Sequence, residues 1–326
     1  MNVFELLLNP DLWFGVLRST TPILFAALAA LVSQRCGITN MAIEGIMLFG
    51  ALFAVIGSWL TQNVWLGLAL SILVCVGLTL VLAYFKMKMD ADEIMVAIAL
   101  NLLASGATVF ILYLISDSKS VSSALKSGVF PNVTLPLIKD IPFLGRIISG
   151  QSILVYVAFI AVFLVHYLLF KTPLGLRIRS VGGNAHAAES VGVSVTKTRY
   201  LAMILSGVLT GFAGAFMSMG YLTVFTKGMV SGRGYIALAA SYVGGTAPIG
   251  TLFASVLFGF FDQLGNQLQA VSQIPSEFIY MIPYLATIVM YSLYTYRKKT
   301  AKRRVLQKVV VDHVDPESQT SKELES

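Results

Sequence analysis

Long apolar stretches alternate with short polar ones along this chain. A helix needs about 20 mainly apolar residues to cross a bilayer core. By that ruler residues 12–33, 38–60, 64–85, 93–115, 152–170, 200–222 and 277–296 each predict a membrane-spanning helix. A further stretch, 235–264, is interrupted by Gly244-Gly245-Thr246-Ala247-Pro248-Ile249-Gly250. Glycine and proline break it there, which predicts either two thin spans or one re-entrant hairpin. Such breaks are tolerated at membrane depth where the backbone lines a cavity or is buried in protein. The fold class expected is therefore all-α: a polytopic transmembrane helical bundle over residues 1–296, with a broken or re-entrant helix near 235–264. The polar end, Val310 to Ser326, contains Pro316 and reads as disordered, so 297–326 is expected to be a basic, then disordered tail.

Basic residues in short loops set orientation. Loop 86–92 holds Lys86 and Lys88, loop 171–199 holds Lys171, Arg177, Arg179, Lys197 and Arg199, and the tail holds Arg297, Lys298, Lys299, Lys302, Arg303, Arg304 and Lys308. All three face the cytoplasm together if the broken region contributes no net crossing or two, so the total is seven crossings plus a re-entrant pair, or nine. The scheme puts the C-terminus in the cytoplasm, the N-terminus outside and loop 116–151 outside. That external loop, with Pro131, Pro136 and Pro142, reads equally as an ordered cap or as a solvated connector.

Composition agrees with the pattern. The chain is 56% apolar and 12% charged, with a mean hydropathy of +0.79. Soluble domains are about 45–50% apolar and about 25% charged, so too little polar surface remains to coat a water-soluble globule. A net charge of +7 resembles a nucleic-acid signal. Its concentration just after the last apolar stretch points instead to a juxtamembrane anchor on anionic lipid, with no nucleic-acid partner. Met1 to Pro10 lacks a basic region ahead of its apolar run, which argues against a cleaved signal peptide. Cys36 and Cys75 form no disulfide or metal pattern.

Charges inside spans are expensive and are functional candidates by default. Asn40 and Glu44, spaced i, i+4, are expected on one helix face, either binding a polar ligand or pinning a neighbouring helix. Asn101, Ser105 and Thr108 make a second polar stripe, with packing and pathway roles at even weight. Asp262, with Gln263, Asn266 and Gln267, reads as a solvated helix end or the rim of a pathway. Gly207, Gly211 and Ala215, and Gly250 with Ala254, are small-residue ridges that let helices approach closely. His166 has no ligand-spaced companion and reads as a packed histidine. No G-x-x-x-x-G-K-[ST] phosphate loop occurs, and no nucleophile–base arrangement is indicated, so no enzyme and no bound cofactor is expected.

Within 171–199, Asn184 is a good N-cap, Ala185, Ala187 and Ala188 are strong helix formers, and Gly192 is a terminator. A short capped helix on the cytoplasmic side suits insertion into a partner's groove. An interfacial connector is the equal alternative.

Pro173-Leu174-Gly175-Leu176-Arg177-Ile178-Arg179-Ser180-Val181-Gly182-Gly183-Asn184, then Ala187-Ala188 and Gly192, resembles the cytoplasmic coupling region of ABC importer permeases of the branched-chain amino acid, ribose and nucleoside group. Gly37-Ile38-Thr39-Asn40-Met41-Ala42-Ile43-Glu44-Gly45 resembles that group's first signature. Ser206-Gly207 through Gly211 and Gly214 resembles the helix after the coupling loop. Gly232-Arg233-Gly234-Tyr235-Ile236-Ala237-Leu238-Ala239, with Gly244-Gly245 and Gly250-Thr251, resembles the late glycine-rich region. The match runs in order over most of 15–296 and looks most like the nucleoside-type branch.

The resemblance implies a plasma-membrane permease that pairs with a second, different permease. It implies that cytosolic ATPase subunits use the ATP, and that an external lipoprotein delivers the substrate. It assigns coupling to Arg177, Arg179, Gly182, Asn184, Ala187 and Ala188. Asn40, Glu44, Asn101 and Ser105 are the candidate substrate pathway. The rivals are a sugar-type permease of the same group, an ion-coupled secondary transporter using Glu44, and a membrane scaffold or channel.

Overall fold

The computed structural model describes residues 9–123, 125, 127–134 and 144–271, and beyond them positions 285, 288, 289, 292 and 296. The expected span 277–296, apart from those positions, and the tail 297–326 lie outside the described residues. Seven described helices are long and apolar enough to cross a membrane.

The first, α1 (Pro10–Arg35), starts where the Asn9 side chain accepts from the Asp11 N–H at 2.9 Å, with Pro10 at the first helical position. It is buried along nearly all of its length and is the axis of the bundle. α2 (Ile43–Thr61), α3 (Val64–Lys88) and α4 (Glu93–Ser116) follow, then α5 (Leu144–Ile148) and α6 (Ile153–Lys171). α3, α4 and α6 turn large apolar side chains outward, among them Leu73, Leu102, Phe110, Phe163 and Leu164. In a membrane such faces meet lipid or another subunit, so they carry no aqueous penalty. α2 begins at Ile43, not at residue 38. Asn40 therefore lies in the turn ahead of the helix, and the expected shared helix face for Asn40 and Glu44 is not formed.

Residues 171–199, expected as a loop with one short helix, hold two helices before the next span. α7 (Pro173–Gly183) starts with Thr172 as N-cap, whose hydroxyl accepts from the Gly175 N–H at 3.2 Å. It buries Gly175, Ile178 and Val181, an amphipathic pattern hidden by the glycines around it. α8 (Ala185–Ser190) is capped by Asn184, whose Oδ1 accepts from the Ala187 N–H at 3.1 Å, and the chain leaves it at Gly192 with φ +83°.

α9 (Val195–Phe216) packs its small-residue ridge directly on α3: Cβ atoms at Gly207 and Gly211 would each lie 2.7 Å from a Cα, of Val76 and Ile72. It ends in a π-helical turn, Met217–Tyr221. The segment 222–232 leads to α10 (Arg233–Val243), and α11 (Pro248–Val271) completes the described bundle. At about 1.5 Å per residue the 11 residues of α10 span about 16 Å, half a bilayer core of about 30 Å.

Contacts fix how the broken region runs. Near one end of the bundle Arg18 Nη2 donates to the Gly220 and Tyr221 carbonyls at 3.0 and 2.7 Å, and Gln151 Nε2 donates to the Phe14 carbonyl at 2.9 Å. At the other end Ser241 Oγ donates to Gln34 Oε1 at 3.0 Å and Arg35 Nε donates to the Thr246 carbonyl at 2.7 Å. A turn-rich segment, 222–232, brings the chain from Tyr221 to Arg233; α10 then runs toward the second end and α11 returns, so the expected break falls at 244–250 between two oppositely directed helices. Gly244 and Gly250 permit the turn: a Cβ on either would overlap the other's strand of the turn, at Thr251 N and at the Gly244 carbonyl.

Loop 116–151, expected outside, is ordered where described. β1 (Asn132–Val133) pairs antiparallel with β2 (Gln151–Ser152). Ser122, Ser120 and Phe130 exchange backbone hydrogen bonds with Phe225, Lys227 and Met219, which docks 120–130 as a cap over the segment after α9.

Candidate functional site

The N-terminus of α10 sits inside the bundle, where its free N–H groups need acceptors from other elements. Glu44, in the first turn of α2, meets them. Its Oε1 accepts from the Gly232 N–H and its Oε2 from the Gly234 N–H, both at 2.8 Å. Gly234 is forced by this approach, since a Cβ there would stand 2.7 Å from Glu44 Cα and N. Gly232, at φ +81°, supplies the left-handed entry to the helix.

Asn101 ties three elements at the same place. Its Oδ1 accepts from the Gly45 N–H at 2.8 Å, and its Nδ2 donates to the Met41 carbonyl at 3.0 Å and to the Tyr235 hydroxyl at 2.9 Å. Glu44 and Asn101 therefore converge on α10. Asn40 is fully buried and turns the other way, its Nδ2 donating to Ser206 Oγ on α9 at 3.4 Å and its Oδ1 accepting from the Ala42 N–H. Ser105 is exposed and bonds back to the Leu102 carbonyl of its own helix, while Thr108 is buried on the Ala104 carbonyl.

The first residue of α10 is Arg233, 9% exposed. Its Nη2 donates to both oxygens of Asp262, at 3.0 and 3.3 Å. Asp262 is not the solvated helix end expected from sequence: it lies inside α11, and its pairing with Arg233 is what makes that position tolerable. Arg233 carried no functional weight as one letter of a glycine-rich signature. The signal was present as two opposite charges, 29 residues apart, in otherwise apolar sequence.

The pair borders a cavity of about 600 Å³ whose walls include Tyr221, Leu222, Lys227, Met229, Ile236 and Asn266. This is the size range of small-molecule sites. A second cavity, about 310 Å³, opens among Asp11, Phe14, Arg18 and Gln263 and shares Tyr221 and Leu222 with the first. Tyr221 stands at their boundary. The Arg18 and Arg233 guanidiniums lie 5.6 and 5.4 Å from its ring centroid. Its hydroxyl lies 3.3 Å from Ser19 Oγ and accepts from Asn266 Nδ2 at 3.4 Å. The π turn that ends α9 is what delivers Tyr221 to this position; such turns are frequent at functional sites.

The opposite end of α10 is linked to α7 through Arg35, at the end of α1. Gly182 lies against the Arg35 carbonyl so closely that a Cβ would overlap it. Arg35 and Arg179 both lie over the Phe170 ring, at 5.9 and 4.8 Å, and Arg35 also holds the Thr246 carbonyl in the α10–α11 break. Arg177, Asn184 and Ala187 are exposed on the outer side of α7–α8, while Arg179 is half-buried and Ala188 buried on the bundle side. His166 stacks on Phe170 at 5.0 Å. Among the described residues no group of His, Cys, Asp and Glu is arranged to hold a metal ion.

A half-helix reaching mid-bundle, a cavity at its start and a capped surface module at its end are the parts of a translocation unit. The family described as "Branched-chain amino acid transport system / permease component" matches residues 12–292. The chain belongs to this permease family. It is 34% identical over 290 residues to the nucleoside ABC transporter permease NupC of Lactococcus lactis subsp. cremoris, covering 86% of this chain and 90% of NupC. It is 34% identical over 278 residues to the guanosine ABC transporter permease NupQ of Bacillus subtilis, covering 82% and 86%. TsgC13 of Haloferax volcanii, provisionally named a glucose ABC transporter permease, is 32% identical over 262 residues, covering 79% and 78%. The permease is a multi-pass membrane protein of the translocation-subunit type.

Proposed function

We propose that this permease is one of two different transmembrane subunits of an ABC importer for nucleosides, in the plasma membrane. An external lipoprotein delivers the nucleoside, and cytosolic ATPase subunits bind and hydrolyse the ATP. The α7–α8 end faces the cytoplasm, as do the basic tail and the C-terminus, and the N-terminus and the 116–151 cap face outside.

One observation carries the mechanism: the joint of Gly182, Arg35 and Thr246 links α7 to the α10–α11 break. Asn184, Ala187 and Arg177 offer the outer surface to an ATPase groove. Closure of the ATPase pair pushes α7–α8, and Gly182 passes the push to Arg35. Arg35 passes it to the break, and α10 shifts at its far end, beside Arg233 and Asp262. The substrate class rests on the two relatives named for nucleoside and guanosine transport.

The ion-coupled alternative gains no support from Glu44. Both of its oxygens hold backbone N–H groups of the α10 start, a structural task.

Proteoliposomes holding this chain, a second permease, the ATPases and the lipoprotein test the reading. ATP-dependent uptake of radiolabelled guanosine is expected, with none when the ATPases are left out. Guanosine uptake driven by an ion gradient without ATPase subunits overturns it.

A further inference from the structure

The geometry points to the cavity between α10 and α11 as a resting site for an uncharged nucleoside within the permease, walled off from the outer cavity by Tyr221. This rests on the nucleoside reading above and adds where in the chain the substrate stops and what recognises it.

The cavity has two chemically different sides. Leu222, Met229 and Ile236 give an apolar wall suited to the face of a base. Arg233, Asp262 and Asn266 give a hydrogen-bonding wall. The Asp262 carboxylate receives Arg233 through one nitrogen, and a carboxylate has about four acceptor positions, so it can also accept from ribose hydroxyls or a base N–H. Arg233, with both Nη atoms engaged, holds that carboxylate in place on the cavity wall. The Arg233–Asp262 pair is neutral as a unit. Lys227, exposed on the wall, is a lone positive charge at the rim. On the Arg233–Asp262 wall a phosphate would meet a carboxylate and an arginine already paired, so that wall suits an uncharged ligand; Lys227 at the rim is the cation a nucleotide would use instead, and competition by guanosine monophosphate decides between them.

Tyr221 lines this cavity and the outer one alike, and its hydroxyl is held between Ser19 on α1 and Asn266 on α11. It sits on a π turn, a rare helical form often found at functional sites. Rotation of this one side chain would join the two cavities.

The test uses the complete transporter in proteoliposomes, with 8-azidoadenosine as photolabel and guanosine uptake as readout. Label is expected in the peptides that contain residues 221–236 and 262–266, displaced by guanosine and not by guanosine monophosphate. Asn266→Ala and Leu222→Trp, one removing a hydrogen bond and one filling space at a half-exposed position, should raise KM for guanosine about tenfold, with kcat within about twofold. Asp262→Asn is the sharper change for recognition but threatens folding, so it is not the deciding variant. Wild-type uptake of guanosine with label elsewhere and an unchanged KM in both variants overturns this site and leaves the proposed function standing. Equal displacement by guanosine monophosphate overturns the preference for an uncharged ligand. A wild-type assembly that carries no nucleoside at all removes the functional reading itself.

Discussion

Two short helices, α8 and α10, begin with the same difficulty and solve it differently. Each starts with backbone N–H groups that no residue of its own helix can accept. In α8 the acceptor is Asn184, the residue immediately before the helix. In α10 it is Glu44, whose two hydrogen bonds reach across 188 and 190 residues of chain. A local cap travels with its helix, so α8 can shift against the bundle and keep its own hydrogen bonds. A distant cap joins two elements, so α10 cannot leave α2 without breaking both hydrogen bonds. On the proposed mechanism the exposed helix is pushed as a unit, and the buried one transmits a movement only along the directions its ties allow.

The heaviest blow to this contrast is Arg233→Met. It leaves Asp262, partly buried on the cavity wall, without its partner beside the α10 start, which should cost up to about 3–5 kcal/mol. Thermal unfolding in detergent should fall sharply, and adding Asp262→Leu should restore most of the loss. A small loss in the single variant would mean that α10 is not anchored at this end. Glu44→Ala comes next. Two interior N–H groups lose their acceptor, at about 1–3 kcal/mol each. Glu44→Gln keeps one acceptor and should cost about half as much, with ATP-driven uptake retained. An ion-coupled carrier using Glu44 would instead lose transport in Glu44→Gln at unchanged stability.

Arg35→Ala sharpens the other end of α10. It removes a charged donor from the Thr246 carbonyl, worth roughly 1.5–3 kcal/mol, and a partner from the Phe170 ring. The larger consequence expected is mechanical. ATP hydrolysis by the assembled transporter should continue while guanosine uptake falls, because α7 then moves without carrying the break. Uptake and hydrolysis falling in proportion would place the transmission elsewhere.

How much of this was visible beforehand follows the same local–distant line. Spans α1 to α4, α6 and α9 were legible because twenty apolar residues in a row admit few arrangements. The Asn184 cap was legible because cap and helix are adjacent. α7 was missed because Gly175, Gly182 and Gly183 read as loop, although Gly182 is there to let the Arg35 backbone approach. Asp262 reads as either a helix end or a pathway rim because its partner lies 29 residues away on another element, and the partnership of Glu44 with Gly232 is hidden by distance in the same way. Asn40 and Glu44 have helical spacing, but the helix begins between them, and spacing cannot say where a helix begins. Ser105 was joined to Asn101 by spacing alone, yet only Asn101 touches α10.

The smallest stability effect belongs to Asn184→Ala, and it decides most about the contrast. Loss of a single exposed N-cap costs about 1 kcal/mol, and the rest of the bundle does not lean on it, so the unfolding temperature should barely move. If α8 is the element that an ATPase groove grips, however, its first turn must be formed before docking. An uncapped six-residue helix has little else to hold it in shape, since helices this short are marginal without tertiary support. Copurification of the ATPase subunits should therefore weaken several-fold in a permease that is otherwise well folded. Asn184→Asp or Asn184→Ser, which keep a capping oxygen, should restore it. Should Asn184→Ala bind the ATPase normally, α8 would be a connector and the push on Arg35 would have to enter through α7 alone. Restoration by Ser would separate the cap from any direct contact of the amide, because a hydroxyl reproduces the bond to the Ala187 N–H and not the reach of asparagine.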